Sequence, residues 1–312
     1  MSTQAYNDLP YLRWTLLKSI LHSELNFLQT LAKPVKQTEL MRQGAIGHVA
    51  LLEPDTYAET AVLVPDEFMS DSTGKMLANK NVQAWLAAQG DDPCLVTSIQ
   101  HAMFEKMGER IAAHEDAGVW FGESPRECRE QVLLWTETIA IEGCVAGPSP
   151  FPWARVLDGA VELDCKATYD FYCPRLNLLG DLKFTGKLPF VPRVCKGYIW
   201  SEGWAGQLGM YSRALLANGV TDTPPSLAFV VVSARPGFED VIAFELEGEE
   251  AAQEARAESE TALVKLATAI AFDRWPGVAP AKVIVDVPDW RRANSEDAAD
   301  LGLEGLGDDD GE

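Results

Sequence analysis

The chain lacks the features by which several classes of protein are recognised from sequence. Its six cysteines among 312 residues form no Cys-x-x-Cys pair, which argues against a zinc ribbon and, at this length, against a disulfide scaffold. No phosphate-binding Gly-x-x-x-x-Gly-Lys-Ser/Thr loop and no Gly-x-Gly-x-x-Gly turn is present, so we predict no nucleotide cofactor. The longest conspicuous apolar run, Leu227 to Val232, is too short to span a bilayer, and no basic segment with an apolar run opens the chain. We therefore expect a protein of the cytoplasm with reduced thiols.

Positive charge is also scarce. The chain has 26 basic and 47 acidic residues, a net charge of −21, so no broad basic surface for nucleic acid is expected. Eight of the acids fall in residues 293–312, which contain no Lys or Arg, and we predict that this tail is disordered. The basic residues concentrate in one stretch of under fifty residues, where they are predicted to form a channel for phosphates. They are Lys166, Arg175, Lys183, Lys187, Arg193, Lys196 and Arg213.

Helical periodicity dominates the first part of the chain. Apolar residues recur at helical spacing over 9–31 and 39–52, and His48 falls on the apolar stripe of the second segment. A third, long helix is predicted over 91–117, ahead of a Gly/Pro-rich connection. Its predicted inward residues are Val96, Ile99, Met103 and Met107.

The period then changes to that of strands. Residues 130–143, 161–172 and 176–184 are rich in β-branched and aromatic residues, and we predict a meander of three strands, with 147–157 as a long loop. A helix is predicted over 203–217, with Tyr211 on its apolar stripe, followed by strands over 226–235 and 238–248. An acidic helix over 249–272 ends before Trp275-Pro276-Gly277.

The most informative local pattern is Asp170 followed by Asp181-Leu182-Lys183. Asp181 and Lys183 are two residues apart on one predicted strand, so their side chains share a face, and a hairpin would bring Asp170 to the same point. Two carboxylates beside an ammonium suit Mg²⁺ or Mn²⁺ and the hydrolysis of a phosphodiester. The alternative is two acids near turns and a surface lysine paired with one of them.

Several further segments occur in order around this pattern. Before it come GAIGHVALLEPDTY and Glu130-QVLLW, and the pattern itself lies within CKATYDFY and GDLKF. After it come Gln207-xxx-Tyr211 and the closing segments RWPG and VPDW. Over roughly residues 10–292 the chain resembles the RecE-type (exonuclease VIII-like) phage and prophage exonucleases. This family belongs to the PD-(D/E)xK nucleases and is related to lambda exonuclease and RecB nuclease domains. Tyr169 stands where the superfamily name has proline, and the second acid is Asp181 rather than glutamate.

The resemblance implies a role for each matching residue. His48, Asp170, Asp181 and the backbone carbonyl of Leu182 would ligate Mg²⁺, with Mn²⁺ as a substitute. Lys183 would position or activate the attacking water, and Glu130 would lie near the active site. Gln207 and Tyr211 would orient the lysine and contact the DNA backbone, where Lys166 and Arg213 are further candidates. The residues alone leave His48 open as a core histidine and Tyr211 as a core tyrosine.

The resemblance also implies a restriction-endonuclease-like α/β fold with a central mixed sheet flanked by helices. We expect one domain over 1–292, with a helical part (1–125), a catalytic sheet core (126–245) and a C-terminal helix and closing segment (246–292). The implied activity is Mg²⁺-dependent exonucleolytic hydrolysis from the ends of linear double-stranded DNA, which supplies single strands for recombination. Implied partners are a RecT-like annealing protein and further copies of the chain, as a ring, in a bacterial host cell.

Two other kinds of function stay open from the sequence. One is a PD-(D/E)xK nuclease of another mode, an endonuclease or single-strand nuclease, which closed circular DNA would distinguish. The other is a catalytically silent DNA-binding or assembly subunit of the same fold. The set of His48, Asp170, Asp181 and Lys183 favours an enzyme, because a binding module needs no converging hard ligands beside an ammonium.

Overall fold

A computed structural model of the chain describes residues 6, 8–33, 39–70, 76–89, 94–186, 189–235, 237, 240–246 and 248–277. The described residues up to Pro276 pack as one compact unit. The predicted closing segment VPDW and the acidic tail over 293–312 lie outside the described residues. The predicted domain boundary at residue 292 therefore stays a prediction.

Short helices form the beginning of the chain, as its periodicity predicts. A 3₁₀ turn, Lys18–Leu21, joins the first two of them. The predicted helical region over 9–31 is interrupted because Ser23 is extended and its hydroxyl accepts a hydrogen bond from the Asn26 N–H at 3.0 Å, which caps a new helix. The four helices are α1 (Trp14–Leu17), α2 (Glu24–Ala32), α3 (Glu39–Leu52) and α4 (Pro54–Thr60).

The next segment contains a small parallel sheet that the sequence did not predict. Strand β1 (Ala61–Leu63) pairs with β2 (Cys94–Val96), and helix α5 (Lys80–Ala88) lies between them in sequence. A 3₁₀ turn, Asp66–Phe68, follows β1. Together with α1 to α4, these elements precede the large sheet.

The single helix predicted over 91–117 is wrong in its bounds. Thr97 caps helix α6 (Ser98–Ala113) in a capping box with Gln100, so Val96 belongs to β2. His114 ends α6 and caps α7 (Glu115–Gly122), because its Nδ1 accepts hydrogen bonds from the backbone of that helix. Ile99, predicted to face inward, is 62% exposed, whereas Met103 and Met107 are buried as predicted.

A six-stranded mixed sheet forms the centre of the molecule. Its strands are β3 (Arg129–Ala140), β4 (Ala154–Leu157), β5 (Ala160–Cys173), β6 (Leu178–Thr185), β7 (Ser226–Ser233) and β8 (Val241–Glu245). Their order in the sheet is β3-β5-β6-β7-β8, with β4 also paired to β5. Neighbouring strands are antiparallel except β6 and β7, which are parallel. The predicted loop over 147–157 contains β4.

Helices cover both faces of this sheet, which confirms the predicted fold class. Helices α8 (Pro192–Ser201) and α9 (Trp204–Ala217) form the crossover between β6 and β7, and α10 (Gly248–Phe272) follows β8. Strand β7 contributes alternate residues to two separate apolar cores, one on each face, which explains its unbroken apolar run over 227–232. None of the described helices combines the length and the apolarity needed to cross a membrane.

Candidate functional site

The predicted site lies where strands β5 and β6 separate. Their regular pairing ends with Phe171 opposite Gly180, and one step further Asp170 faces the strand that carries Asp181. There the Asp170 carboxylate accepts a hydrogen bond from the Leu182 N–H at 2.6 Å. A side chain thus takes up a backbone donor of β6, which fixes the Asp170 carboxylate between the two strands.

Gly180 permits the close approach of the two strands at this point. A Cβ atom on Gly180 would lie 2.0 Å from the ring of Phe171, which is fully buried. The ring therefore occupies the space of the missing side chain. This packing sets the position of Asp170 and Asp181, the neighbours of the two packed residues.

Helix α3 brings His48 to the same point from the other side. The imidazole Nε2 lies 2.9 Å from the Leu182 carbonyl oxygen and 3.3 Å from Asp170 Oδ2, and Nδ1 lies 2.8 Å from the Gly44 carbonyl oxygen. A carbonyl oxygen only accepts, so a ring that bonds both carbonyls is doubly protonated. When Nδ1 alone carries the proton, Nε2 has a lone pair that faces Asp170 and Leu182.

Asp181 and Lys183 point to helix α9 and join a closed network there. Lys183 Nζ lies 2.5 Å from Asp181 Oδ2 and donates to Gln207 Oε1 at 2.9 Å. The Gln207 amide donates to Asp181 Oδ1 at 3.2 Å and to the Tyr211 hydroxyl at 2.7 Å. Asp181 is 1% exposed, so this network replaces the water that its carboxylate would otherwise bind.

Glu130 borders the site on strand β3. It lies between the residue pairs Arg129–Phe171 and Gln131–Tyr169, which places it across the strands from Asp170. Its backbone is left-handed, with φ of 48°, a conformation that costs a residue with a side chain of the order of 1–3 kcal/mol. Burial, and the charge of Asp170 beside it, raise the pKa of Glu130 to about 7.

The surroundings also shift the pKa values of three further groups of the site, Asp181, His48 and Asp170. Burial, only partly offset by Lys183, raises the pKa of Asp181 to about 6. Burial alone would lower the pKa of His48, but the charge of Asp170 raises it to about 9. For Asp170 the two effects are reversed: burial alone would raise its pKa, but the charge of His48 holds the pKa below its usual value. Such opposed shifts in one cleft are typical of functional sites.

The residues present fit a small divalent cation in part. In an octahedral site with bonds of about 2.1 Å, adjacent ligand atoms lie about 3 Å apart. The separations of His48 Nε2 from the Leu182 carbonyl oxygen and from Asp170 Oδ2 match this spacing. Apart from its ion pair with Lys183, Asp181 Oδ2 is buried and accepts no hydrogen bond from the described residues.

The ligand set is nevertheless not assembled from side chains alone. No three His, Cys, Asp or Glu side chains in the described ranges converge on one point as a ready metal group. The reason is that Asp181 faces Lys183 and Gln207, and the Leu182 contribution comes from the backbone. A cation held here would have two side chains and one carbonyl in place, and Asp181 would be recruited from its ion pair.

Two of the predicted DNA ligands are bonded to other groups of the chain. Lys166 is 2% exposed, and its ammonium donates to the backbone carbonyls of Tyr6 and Leu9. Arg213 makes two hydrogen bonds to the Glu137 carboxylate, at 2.9 and 2.8 Å. The prediction of Lys166 as a DNA ligand is therefore corrected, because its ammonium is bonded inside the fold. Arg213 is partly exposed beside Glu137, and its DNA contact stays a prediction.

Some of the basic residues predicted to form a channel for phosphates are paired with acidic residues of the chain. Arg175 pairs with Glu123 at 2.7 Å, and Lys187 lies outside the described residues. Arg193 and Lys196 are exposed on α8, and Lys183 belongs to the network with Asp181. Among the described lysine and arginine side chains, positive charge at the site is thus limited to Lys183.

Sequence reasoning missed two contributors to the site. The Gly44 carbonyl orients His48, and as a backbone atom one helical turn away it leaves no signal in residue type. Trp204 lies with its ring 5.6 Å from Lys183 Nζ, a cation–π distance. Trp204 is seven residues before Tyr211 and so lies on the same apolar stripe, and periodicity does not distinguish a wall of the site from the core.

Comparison with known proteins supports the fold. A crystal structure of a protein from Eubacterium rectale, described as a "putative exonuclease", is similar with a TM-score of 0.50 and 12% sequence identity. The similarity covers 92% of this chain and 95% of the other. No protein-family model matches the chain, and no curated protein matches it. At this identity the likeness shows a shared fold alone, because one fold can host many unrelated functions.

Proposed function

We propose that the chain is a metal-dependent exodeoxyribonuclease that hydrolyses phosphodiester bonds from the ends of linear double-stranded DNA. The observation that carries this proposal is that Asp170 Oδ2 and the Leu182 carbonyl oxygen both lie within 3.3 Å of His48 Nε2, beside a buried Asp181–Lys183 pair. The fold shared with a protein described as an exonuclease supports the same reaction class. Action on ends and on duplex DNA rests on the resemblance described above.

The proposed ligands of the cation are His48, Asp170, Asp181 and the Leu182 carbonyl. Oxygen and imidazole donors of this kind suit Mg²⁺, with Mn²⁺ as a substitute. A bound divalent cation supplies a Lewis acid that withdraws charge from the phosphate. Asp170 keeps its place because the Leu182 N–H holds one of its oxygens.

The other residues of the network act on protons and position. Lys183, held by Asp181 and Gln207, directs an ammonium to the place where a phosphate oxygen gains charge or a water attacks. Gln207 orients Lys183, since its amide binds Asp181 and Tyr211 at once. Glu130, with a pKa of about 7, can exchange a proton near neutral pH at the edge of the site.

The proposal extends to partners that the resemblance implies. Single strands produced at DNA ends would pass to a RecT-like annealing protein in recombination, and copies of the chain would form a ring around the DNA. A ring requires an oligomer in solution. A mass equal to that of the monomer, measured by light scattering over a range of concentrations, would remove this part of the proposal.

The test is cleavage of end-labelled linear duplex and of closed circular DNA, each with Mg²⁺ and with a chelator. We expect Mg²⁺-dependent loss of the linear duplex alone. Lys183→Ala should abolish it, and Lys106→Ala, which removes an exposed lysine of α6, should leave it intact. Cleavage of closed circles would instead indicate an endonuclease. A folded protein that degrades neither DNA would overturn the proposal and favour a binding or assembly subunit.

A further inference from the structure

A cavity of about 280 Å³ opens directly from the candidate site. It lies between α3, α6, the end of β6 and the start of α9, at the carboxyl ends of the parallel strands β6 and β7, where open α/β sheets commonly bind ligands. The polar side chains that line it are His48, Lys183 and Gln43. The side chains that form most of its wall are Met41, Met103, Phe104, Phe184 and Trp204.

Two aromatic rings flank the reacting groups from opposite faces of β6. Lys183 and Phe184 are consecutive, so their side chains point to opposite faces of the strand. The Phe184 ring centroid lies 5.2 Å from that of His48, and the Trp204 ring lies 5.6 Å from Lys183 Nζ. A flat ligand in the cavity would therefore meet an aromatic face close to the proposed cation ligands.

The position of Phe184 is fixed by a glycine on α3. A Cβ atom on Gly47 would lie 2.5 Å from the Phe184 ring, so the ring packs directly on the helix backbone beside His48. Phe104 contacts the same place from α6, 3.1 Å from that Cβ position. The fold thus holds the ring in one orientation, which lowers the entropic cost of stacking a ligand on it.

We propose that this cavity binds a single unpaired nucleobase, that of a nucleotide whose phosphate lies at Asp170, Asp181 and Lys183. This inference rests on the proposed function and deepens it. The cavity is just smaller than the ~300–1,000 Å³ of pockets for drug-sized ligands, which suits one base. Its aromatic walls offer stacking, and stacking accepts every base because every base has a π-face.

The class of DNA substrate follows from the unpaired base that the cavity is proposed to bind. A base inside a duplex is paired and stacked, so it enters such a cavity only after leaving the stack. Unpairing costs least at a frayed end or in a single strand. The chain is therefore inferred to act on strand ends whose terminal base is unpaired, with little preference for its identity, since the wall is mostly apolar.

The binding test uses oligonucleotides with 2-aminopurine, a base whose fluorescence is quenched by stacking, at either terminal nucleotide. Added to the full chain in chelator, one of them should be quenched. Phe184→Leu should weaken its binding about tenfold or more, in the range measured when a stacking aromatic is removed. Phe184→Tyr, which keeps the ring, should restore the quenching. Phe272→Leu removes an exposed phenylalanine and is the matched control. Thermal melting reports whether each variant folds.

Cleavage provides an independent readout. With Mg²⁺, a linear duplex with an abasic residue at the terminal nucleotide should be cut at least tenfold more slowly than the normal duplex, and Phe184→Leu should remove this difference. Quenching without cleavage would support the base site and overturn the proposed nuclease. Equal cleavage of abasic and normal ends, without quenching, would overturn the base site and leave the nuclease standing. Absence of both would overturn both.

Discussion

Gln207 accepts a hydrogen bond from the ammonium of Lys183 at 2.9 Å. The same amide group donates to Asp181, so one side chain from helix α9 holds both members of the buried ion pair on β6. A group that fixes reacting residues in this way acts through their orientation, and its removal typically costs 10–100-fold in activity or metal affinity.

We therefore expect Gln207→Ala to lower the rate of DNA cleavage by about 10–100-fold while the chain stays folded. Gln207→Glu should be defective too, because a carboxylate accepts from Lys183 but cannot donate to Asp181. The measurement is single-turnover cleavage together with its pH profile, which should shift because the Asp181 carboxylate loses a hydrogen-bond donor. Gln253→Ala on α10 is the control. An unchanged rate and pH profile in Gln207→Ala would contradict the positioning role.

His48 provides a test of cation binding that does not depend on catalysis. A ligand that binds only the folded state raises the melting temperature, so Mg²⁺ should stabilise the wild-type chain in a concentration-dependent way. In His48→Asn we expect Mg²⁺ affinity to fall at least tenfold and this stabilisation to shrink accordingly. Exposed His22 offers the matched control, His22→Asn. If Mg²⁺ raises the melting temperature of His48→Asn as much as that of the wild type, the histidine is no ligand.

Glu130 predicts a pH dependence of stability in the presence of a chelator. Its pKa is about 7 in the folded chain against an ordinary 4.5, so the folded state binds more protons between these values. Its contribution to stability is therefore lost as the pH rises from 4.5 through 7. Glu130→Gln, which stays neutral, should equal the wild type below pH 4.5 and be more stable by at most about 3 kcal/mol above pH 7.

Urea unfolding at several pH values measures this difference. Glu59→Gln changes an exposed carboxylate on α4 and should show no comparable trend. A Glu130→Gln variant whose stability relative to wild type is the same at pH 5 and pH 8 would show that Glu130 titrates normally in the fold.

The sheet and the acidic cluster could be predicted because they depend on local periodicity. The run over 227–232 belongs to β7 and is apolar on both faces, as expected of a strand between two helical layers. The two-residue spacing of Asp181 and Lys183 placed both on the side of β6 that faces α9. The position of Asp170 beside Asp181 could also be predicted, because strands β5 and β6 form a hairpin of residues that are close in sequence.

The errors concern contacts between distant parts of the chain. Lys166 looks like any basic strand residue, and only the carbonyls of Tyr6 and Leu9, some 160 positions away, show that it is buried. The split of the 91–117 helix depends on His114 as a cap, a role that its residue type rarely predicts. Sequence periodicity predicts which residues share one face of a helix or strand. It does not predict which distant segment of the chain packs on that face.

Gly180 offers a final test of how packing sets the site. Gly180→Ala places a methyl group in the space of the Phe171 ring, which is fully buried and bordered by the strand of Asp170. We expect it to cost about 1–3 kcal/mol or more and to weaken Mg²⁺ binding, because β5 and β6 must move apart at the carboxylates. Gly197→Ala on α8 has open space and should be stabilising by about 0.5–1 kcal/mol. Urea unfolding and Mg²⁺-dependent melting of both variants measure these effects. Equal stability of the two would show that the Phe171 ring can move aside, and that the position of Asp170 does not depend on the packing of Gly180.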